Sequence, residues 1–146
     1  MKDAASHPLV VETQASPRDV SVLEDGLSQF NADATGIRDG ELLCVFLRGS
    51  EQEVVGGAYG WTWGGACYVR YLFLPTEMRG RGLGTRVMNE VEGAARARGC
   101  RQIILETHDF QASDFYRRLG FAITGQVEDY PRGHSCLTMV KRLDGG

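Results

Sequence analysis

Polar and apolar positions along the chain change period several times. Alternating or continuous apolar runs rich in β-branched and aromatic residues predict strands at residues 9–13, 41–48, 53–63, 68–74, 102–107, 121–127 and 135–143. Apolar spacing of three and four predicts helices where Val20, Leu23, Leu27 and Phe30 recur, and where Leu83, Val87, Val91 and Ala94 or Ala95 recur. A third helix is expected over 110–119, with Phe115 and Leu119 on one face and Gly120 as its stop. The punctuation agrees. Ser16-Pro17 is a cap followed by proline at the first helical position, and Gly99 follows Arg96 and Arg98 at the end of the long helix. Residues 49–52 form a hairpin turn, Gly64-Gly65 forms another, and residues 31–40 are a loop or a short further helix. The tally is a mixed α/β (α+β) sheet of about seven strands with about four helices. Its early strands are antiparallel, and one strand–helix–strand crossover makes a parallel pair.

Composition adds bounds. At 146 residues the chain is expected to be one domain, 1–146, with a loose leader over 1–8. With 42% hydrophobic and 24% charged residues it has the make-up of a globular protein, and a net charge of −3 gives no reason to expect nucleic acid or an anionic membrane as partner. No apolar run is long enough to span a bilayer, and the first residues lack the apolar core of a signal peptide, so a cytoplasmic location is expected. Cys44, Cys67, Cys100 and Cys136 stand singly, which reads as reduced, buried thiols in strands and no metal site.

The chemistry concentrates where the strand ending Leu72-Phe73-Leu74-Pro75 meets the long helix through Arg79-Gly80-Arg81-Gly82-Leu83-Gly84-Thr85. Unpaired N–H groups and the dipole at a helix start attract an anion, glycines let it reach the backbone, and two arginines add full charge at the rim. A phosphate or pyrophosphate is the expected ligand. A P-loop would need Lys-Ser or Lys-Thr after the last glycine, and a dinucleotide fingerprint would need glycine at position 85, which is Thr85.

The spacing Arg79-x-x-Gly82-x-Gly84 after such a strand resembles the acetyl-CoA motif of the GNAT superfamily of N-acyltransferases. Asp109, Ala112, Phe115, Tyr116, Gly120 and Phe121 resemble the second signature of that family, with Asp109 where asparagine is usual. Residues 128–135 are similar to a small bacterial subgroup of it.

The resemblance implies a GNAT-like fold whose central strands splay to admit acetyl-CoA. It implies backbone contacts to pantetheine from Leu72, Phe73 and Leu74, and a phosphate cradle of Arg79, Gly80, Arg81, Gly82, Leu83, Gly84 and Thr85. Asp109 and Phe115 are expected beside the pantetheine. The implied reaction is acetyl transfer to a primary amine of a small molecule by direct attack, with Tyr116 as general acid. Core packing is the other reading of Tyr116. Glu106, His108, His134 or water is left to accept the amine's proton. Trp61 and Trp63 share one strand face and could line an acceptor pocket or merely pack on the sheet. Asn31 lies where the family has its acceptor wall. Dimerisation is common in the family, so a homodimer is an expectation. An acyl-CoA sensor without catalysis and a protein lysine or N-terminal acetyltransferase are the alternatives. The acceptor and the range of acyl groups are not legible.

Overall fold

The computed structural model describes residues 7–144, and they divide into two compact units, the first ending at Ile37 and the second beginning at Arg38. The first holds helix α1, Pro17–Thr35. Its start is the expected one. The Ser16 hydroxyl accepts from the Asp19 N–H at 3.1 Å and Pro17 needs no donor. It runs through Phe30 without a break and stops at Gly36, whose left-handed backbone (φ 74°) returns its N–H to the Ala32 carbonyl. The polar stretch from Asn31 to Thr35 therefore completes this helix and does not begin another. Residues 9–13 form no strand. An apolar run of that length has strand character only where a pleated neighbour receives it, and here Leu9 and Val11 are almost wholly exposed.

The second unit is a six-stranded mixed sheet. Its strands are β1 (Glu41–Arg48), β2 (Val54–Trp63), β3 (Ala66–Phe73), β4 (Gln102–His108), β5 (Ala122–Glu128) and β6 (Ser135–Arg142), in the order β1-β2-β3-β4-β6-β5. Only β3 and β4 run parallel, as the crossover through helix α2 (Leu83–Ala97) requires; the other pairs are antiparallel. Helix α3 is shorter than expected, Ser113–Arg118, and a 3-10 turn at Thr76–Met78 joins β3 to the glycine-rich stretch. The fold class stands, with six strands and three α-helices among the described residues.

Helix α2 buries Val87, Met88, Val91 and Ala95, the stripe its spacing predicts with Met88 added, against β1 and β2. Leu43, Ala58, Cys67, Val69, Ile103, Leu105, Leu137 and Met139 complete the core from the sheet, and Tyr116 and Phe121 close it. Alternate residues point to the other face, which carries Tyr59, Trp61, Tyr68, Tyr71, Glu106 and His108. Cys67, Cys100 and Cys136 are buried, as expected for small apolar side chains. Cys44 is not; it sits on the outward face of the edge strand β1, and Cys100 lies in the turn after α2 and not in a strand.

Candidate active site

The sheet is open at its middle. β3 pairs with β4 only from Ala66 opposite Gln102 to Val69 opposite Leu105. Beyond that, β3 continues to Phe73 bonded to β2 alone, while Glu106–His108 of β4 bond to β6. The step from Tyr59 opposite Tyr71 to Gly60 opposite Val69 leaves Arg70 as an extra residue, a bulge that turns β3 away at the point where the pairing with β4 ends. The backbone edge of 70–73 faces the gap and can pair with an extended, amide-bearing chain. Leu72 and Phe73 stand at this edge, and Leu74 follows it. The Leu74 carbonyl already accepts from Arg79 Nε at 3.0 Å, so Arg79 pins the end of the strand as well as charging the rim.

The glycine-rich stretch ends the gap. Gly80 and Gly82 are both left-handed, at φ 75° and 73°, and a Cβ on either would meet nothing within 4 Å. The space above the loop is therefore open to a ligand. The first intrahelical donor of α2 is the Arg86 N–H, to the Gly82 carbonyl at 3.1 Å, so the amides of Leu83, Gly84 and Thr85 precede the ladder. An unpaired helix start with Arg79 and Arg81 beside it suits a pyrophosphate. Gly84 is glycine for a different reason: a Cβ there would lie 3.1 Å from Phe115 Cζ and 3.4 Å from Leu74 Cδ1. Its missing side chain lets α3 approach the start of α2. The residues present fit acetyl-CoA.

Tyr116 packs edge-on between Phe115 (5.1 Å) and Phe121 (5.6 Å), and burial pushes its hydroxyl up to about 12. Its ring lies in the core, with the residue only 6% exposed.

On the outward face the two parted strands remain linked by side chains. The Tyr68 hydroxyl donates to Glu106 Oε1 at 2.9 Å, and the Cys136 thiol reaches Glu106 Oε2 at 3.8 Å. Burial, then the bond to Glu106, raises the tyrosine's pKa, and burial with the same carboxylate raises that of Cys136. Trp61 lies 5.0 Å from Tyr68, and Tyr59 bridges Trp61 to Tyr71. Trp61 and Trp63 share this face, as the alternation about buried Thr62 requires.

Asp109 and His134, which sequence reasoning treats separately, meet. His134 Nδ1 lies 2.9 Å from Asp109 Oδ1, and Asp109 Oδ2 accepts from the Ser135 N–H at 2.9 Å. Partial burial works against the Asp109 carboxylate, but these two bonds prevail and hold its pKa below the ordinary value. His108 Nδ1 donates to the Tyr130 carbonyl at 2.9 Å, and its ring stacks on Phe110. A separation of 25 residues hides the Asp109–His134 pair from any local pattern. A cavity of about 210 Å³ lined by Asp39, Thr62, Trp63, Arg98 and Cys100 opens at the other end of β2 and β3, away from this chemistry. Among the described residues no group of three His, Cys, Asp or Glu could hold a metal ion, and no helix is long and apolar enough to cross a membrane.

Comparison with known proteins agrees with this geometry. Residues 9–121 match the family model described as "Acetyltransferase (GNAT) family". The chain is 36% identical over 107 residues to blasticidin-S acetyltransferase of Streptomyces morookaense, covering 70% of this chain and 76% of that one. It is 32% identical over 121 residues to an acetyltransferase of Agrobacterium fabrum, covering 83% and 88%. A crystal structure from Agrobacterium tumefaciens superposes with a TM-score of 0.81 at 30% identity, over 94% of this chain and all of the other. A sheet parted beside an arginine-flanked helix start, on a chain matched to one family over most of its length, makes this protein a member of the GNAT acetyltransferases, an acetyl-CoA-dependent N-acetyltransferase.

Proposed function

We propose that the enzyme transfers acetyl from acetyl-CoA to a primary amine of a small molecule, by direct attack of the neutral amine on the thioester. The observation that carries this reading is the gap between β3 and β4, bounded by a phosphate cradle and faced by rings and polar side chains. In it, the edge of 72–74 pairs with the pantetheine, Phe115 packs beside it, and the amides of 83–85 with Arg79 and Arg81 hold the pyrophosphate. Gly80, Gly82 and Gly84 keep side chains out of the way. Asp109 keeps its carboxylate for His134 and Ser135 and leaves the pantetheine to backbone groups. Tyr116, protonated throughout the neutral range, offers its hydroxyl hydrogen to the departing sulfur. Trp61 and its ring neighbours line the acceptor side, where flat or cationic amines gain stacking.

A relative named for blasticidin S supports a small-molecule acceptor. The test is release of free CoA thiol from acetyl-CoA across polyamines, amino acids, aminoglycosides, nucleoside antibiotics and peptides. Turnover of a small primary amine at least tenfold above every peptide is expected. Preference for a peptide would make the acceptor a protein, and CoA binding without any turnover would leave a sensor.

A further inference from the structure

We infer that His134, oriented by Asp109, takes the proton from the attacking amine; this rests on the amine-acetylating reading above. Asp109 is fixed before it acts. Its N–H donates to the Ser135 carbonyl, its Oδ2 accepts from the Ser135 N–H, and Oδ1 remains for the histidine. A carboxylate only accepts, so Nδ1 of His134 carries the hydrogen and Nε2, on the far side of the ring, carries the lone pair. The ring is held edge-on to Phe110 at 4.9 Å, and its backbone is closed into the loop by Tyr130 N–H to His134 O (3.1 Å) and His134 N–H to Pro131 O (2.8 Å). The side chain stays about half exposed. This pair stands where β4 ends, past the point at which β3 has left it and just before α3 brings in Tyr116.

The rival bases are differently placed. Glu106 has one oxygen on the Tyr68 hydroxyl and the other near the Cys136 thiol. His108 has its Nδ1 hydrogen on a neutral carbonyl, and the Asp109 carboxylate acts on it only through space. His134 is the one of the two that a carboxylate holds by a direct hydrogen bond. The titratable groups around it are Asp109 on its ring, His108 across Phe110, and Asp129, Tyr130 and Arg132 in its own loop, where Asp129 Oδ1 accepts from the Gly133 N–H. The atoms balance. Amine nitrogen bonds to the acetyl carbon, one N–H proton passes to His134 Nε2, the C–S bond breaks, and sulfur leaves as thiol with the Tyr116 proton. Solvent then moves one proton from His134 to Tyr116.

The experiment combines histidine-ring NMR with pH–rate profiles on the full-length enzyme, which has three histidines to assign. His134 should show the Nδ1–H tautomer, and Asp109→Asn should weaken that preference, because an amide can donate as well as accept. With the panel amine the wild-type enzyme turns over, His134→Gln should cut kcat/KM by about 100-fold or more near neutral pH. The deficit should narrow towards pH 10, where hydroxide can take the N–H proton in place of the histidine. Asp109→Asn should change the pH–rate profile as His134→Gln does and lower its plateau, and CoA affinity by calorimetry should stay within about twofold in both variants. A profile unchanged by both substitutions overturns the proposal. So does Asp109→Asn weakening CoA with the profile unchanged, since that carboxylate would then serve the pantetheine. If the wild-type enzyme acetylates no panel amine, the amine reading fails first and this role fails with it.

Discussion

The most informative single residue is Tyr116, because its burial argues about its chemistry. A phenol at about 12 lies about 3 to 4 units above a CoA thiol of ordinary acidity near 8.5. Full transfer of its proton to a free thiolate would be uphill by roughly 4–5 kcal/mol at about 1.4 kcal/mol per unit. The hydroxyl therefore works best by donating a hydrogen bond to charge developing on sulfur, with the proton moving only as the bond to carbon breaks. Tyr116→Phe keeps the ring against Phe115 and Phe121 and removes that donor. Turnover should fall by about 10²–10³, as for loss of one preorganised donor, with the melting temperature nearly unchanged. Tyr116→Ala should unfold more easily, by roughly 3–5 kcal/mol by analogy with large core truncations. The pH sign follows from the same burial. A group needed protonated loses activity as pH rises through its pKa, so Tyr116 should add no basic limb below about pH 11. Wild-type turnover in Tyr116→Phe would leave the residue as core packing alone.

At the scale of elements, the strand–turn–helix of β3 and α2 distinguishes its glycines by job. Gly82 is left-handed and open above, so Gly82→Asp places a carboxylate in the anion's space and strains the backbone by about 1–2 kcal/mol. CoA affinity should collapse while the enzyme still folds. Gly84→Ala instead presses a methyl on Phe115, so affinity should fall less and the melting temperature should drop as α3 shifts. Calorimetry and thermal melts on both variants check this, and native CoA affinity in Gly82→Asp would refute the cradle. This element was legible because its signals are local: a strand stopped by Pro75, glycines at fixed spacing and a three-four stripe ending at Ala95. The run at 9–13 misled because strand propensity needs a neighbour to meet it. The Asp109–His134 and Tyr68–Glu106 pairs were hidden for another reason. Each joins segments far apart in the chain, and only the strand pairing decides which side chains meet: β4 beside β6 brings Asp109 to His134, and β3 beside β4 brings Tyr68 to Glu106.

Across the second unit, the same parting that admits a ligand removes ladder bonds from the centre of the sheet, so contacts behind it must hold its two halves together. Helix α2 packs on β1 and β2 and is tied to the far half by a polar clasp. Lys141 Nζ of β6 lies 2.6 Å from Glu92 Oε1, Arg96 Nε lies 3.2 Å from Glu92 Oε2, and Arg96 also donates to the Leu143 carbonyl at 3.0 Å. The bond to Lys141 does most to lower the Glu92 pKa below its ordinary 4.5, burial opposes it, and Arg96 adds to the lowering. A carboxyl depressed in the folded state stabilises fully above its unfolded pKa and loses that contribution as pH falls through the folded value. The clasp should therefore hold at pH 6–8 and release in acid below about pH 4.5. Glu92→Gln keeps the shape and removes the charge. With both side chains about a quarter exposed, the loss should be about 1 kcal/mol, or roughly 2–4 °C in a domain of this size. That gap between wild type and variant should be full at pH 7 and close towards pH 3. Melts at several pH values in low salt decide it, and a gap constant with pH would mean that packing around Glu92, not its charge, joins the helix to the last strand.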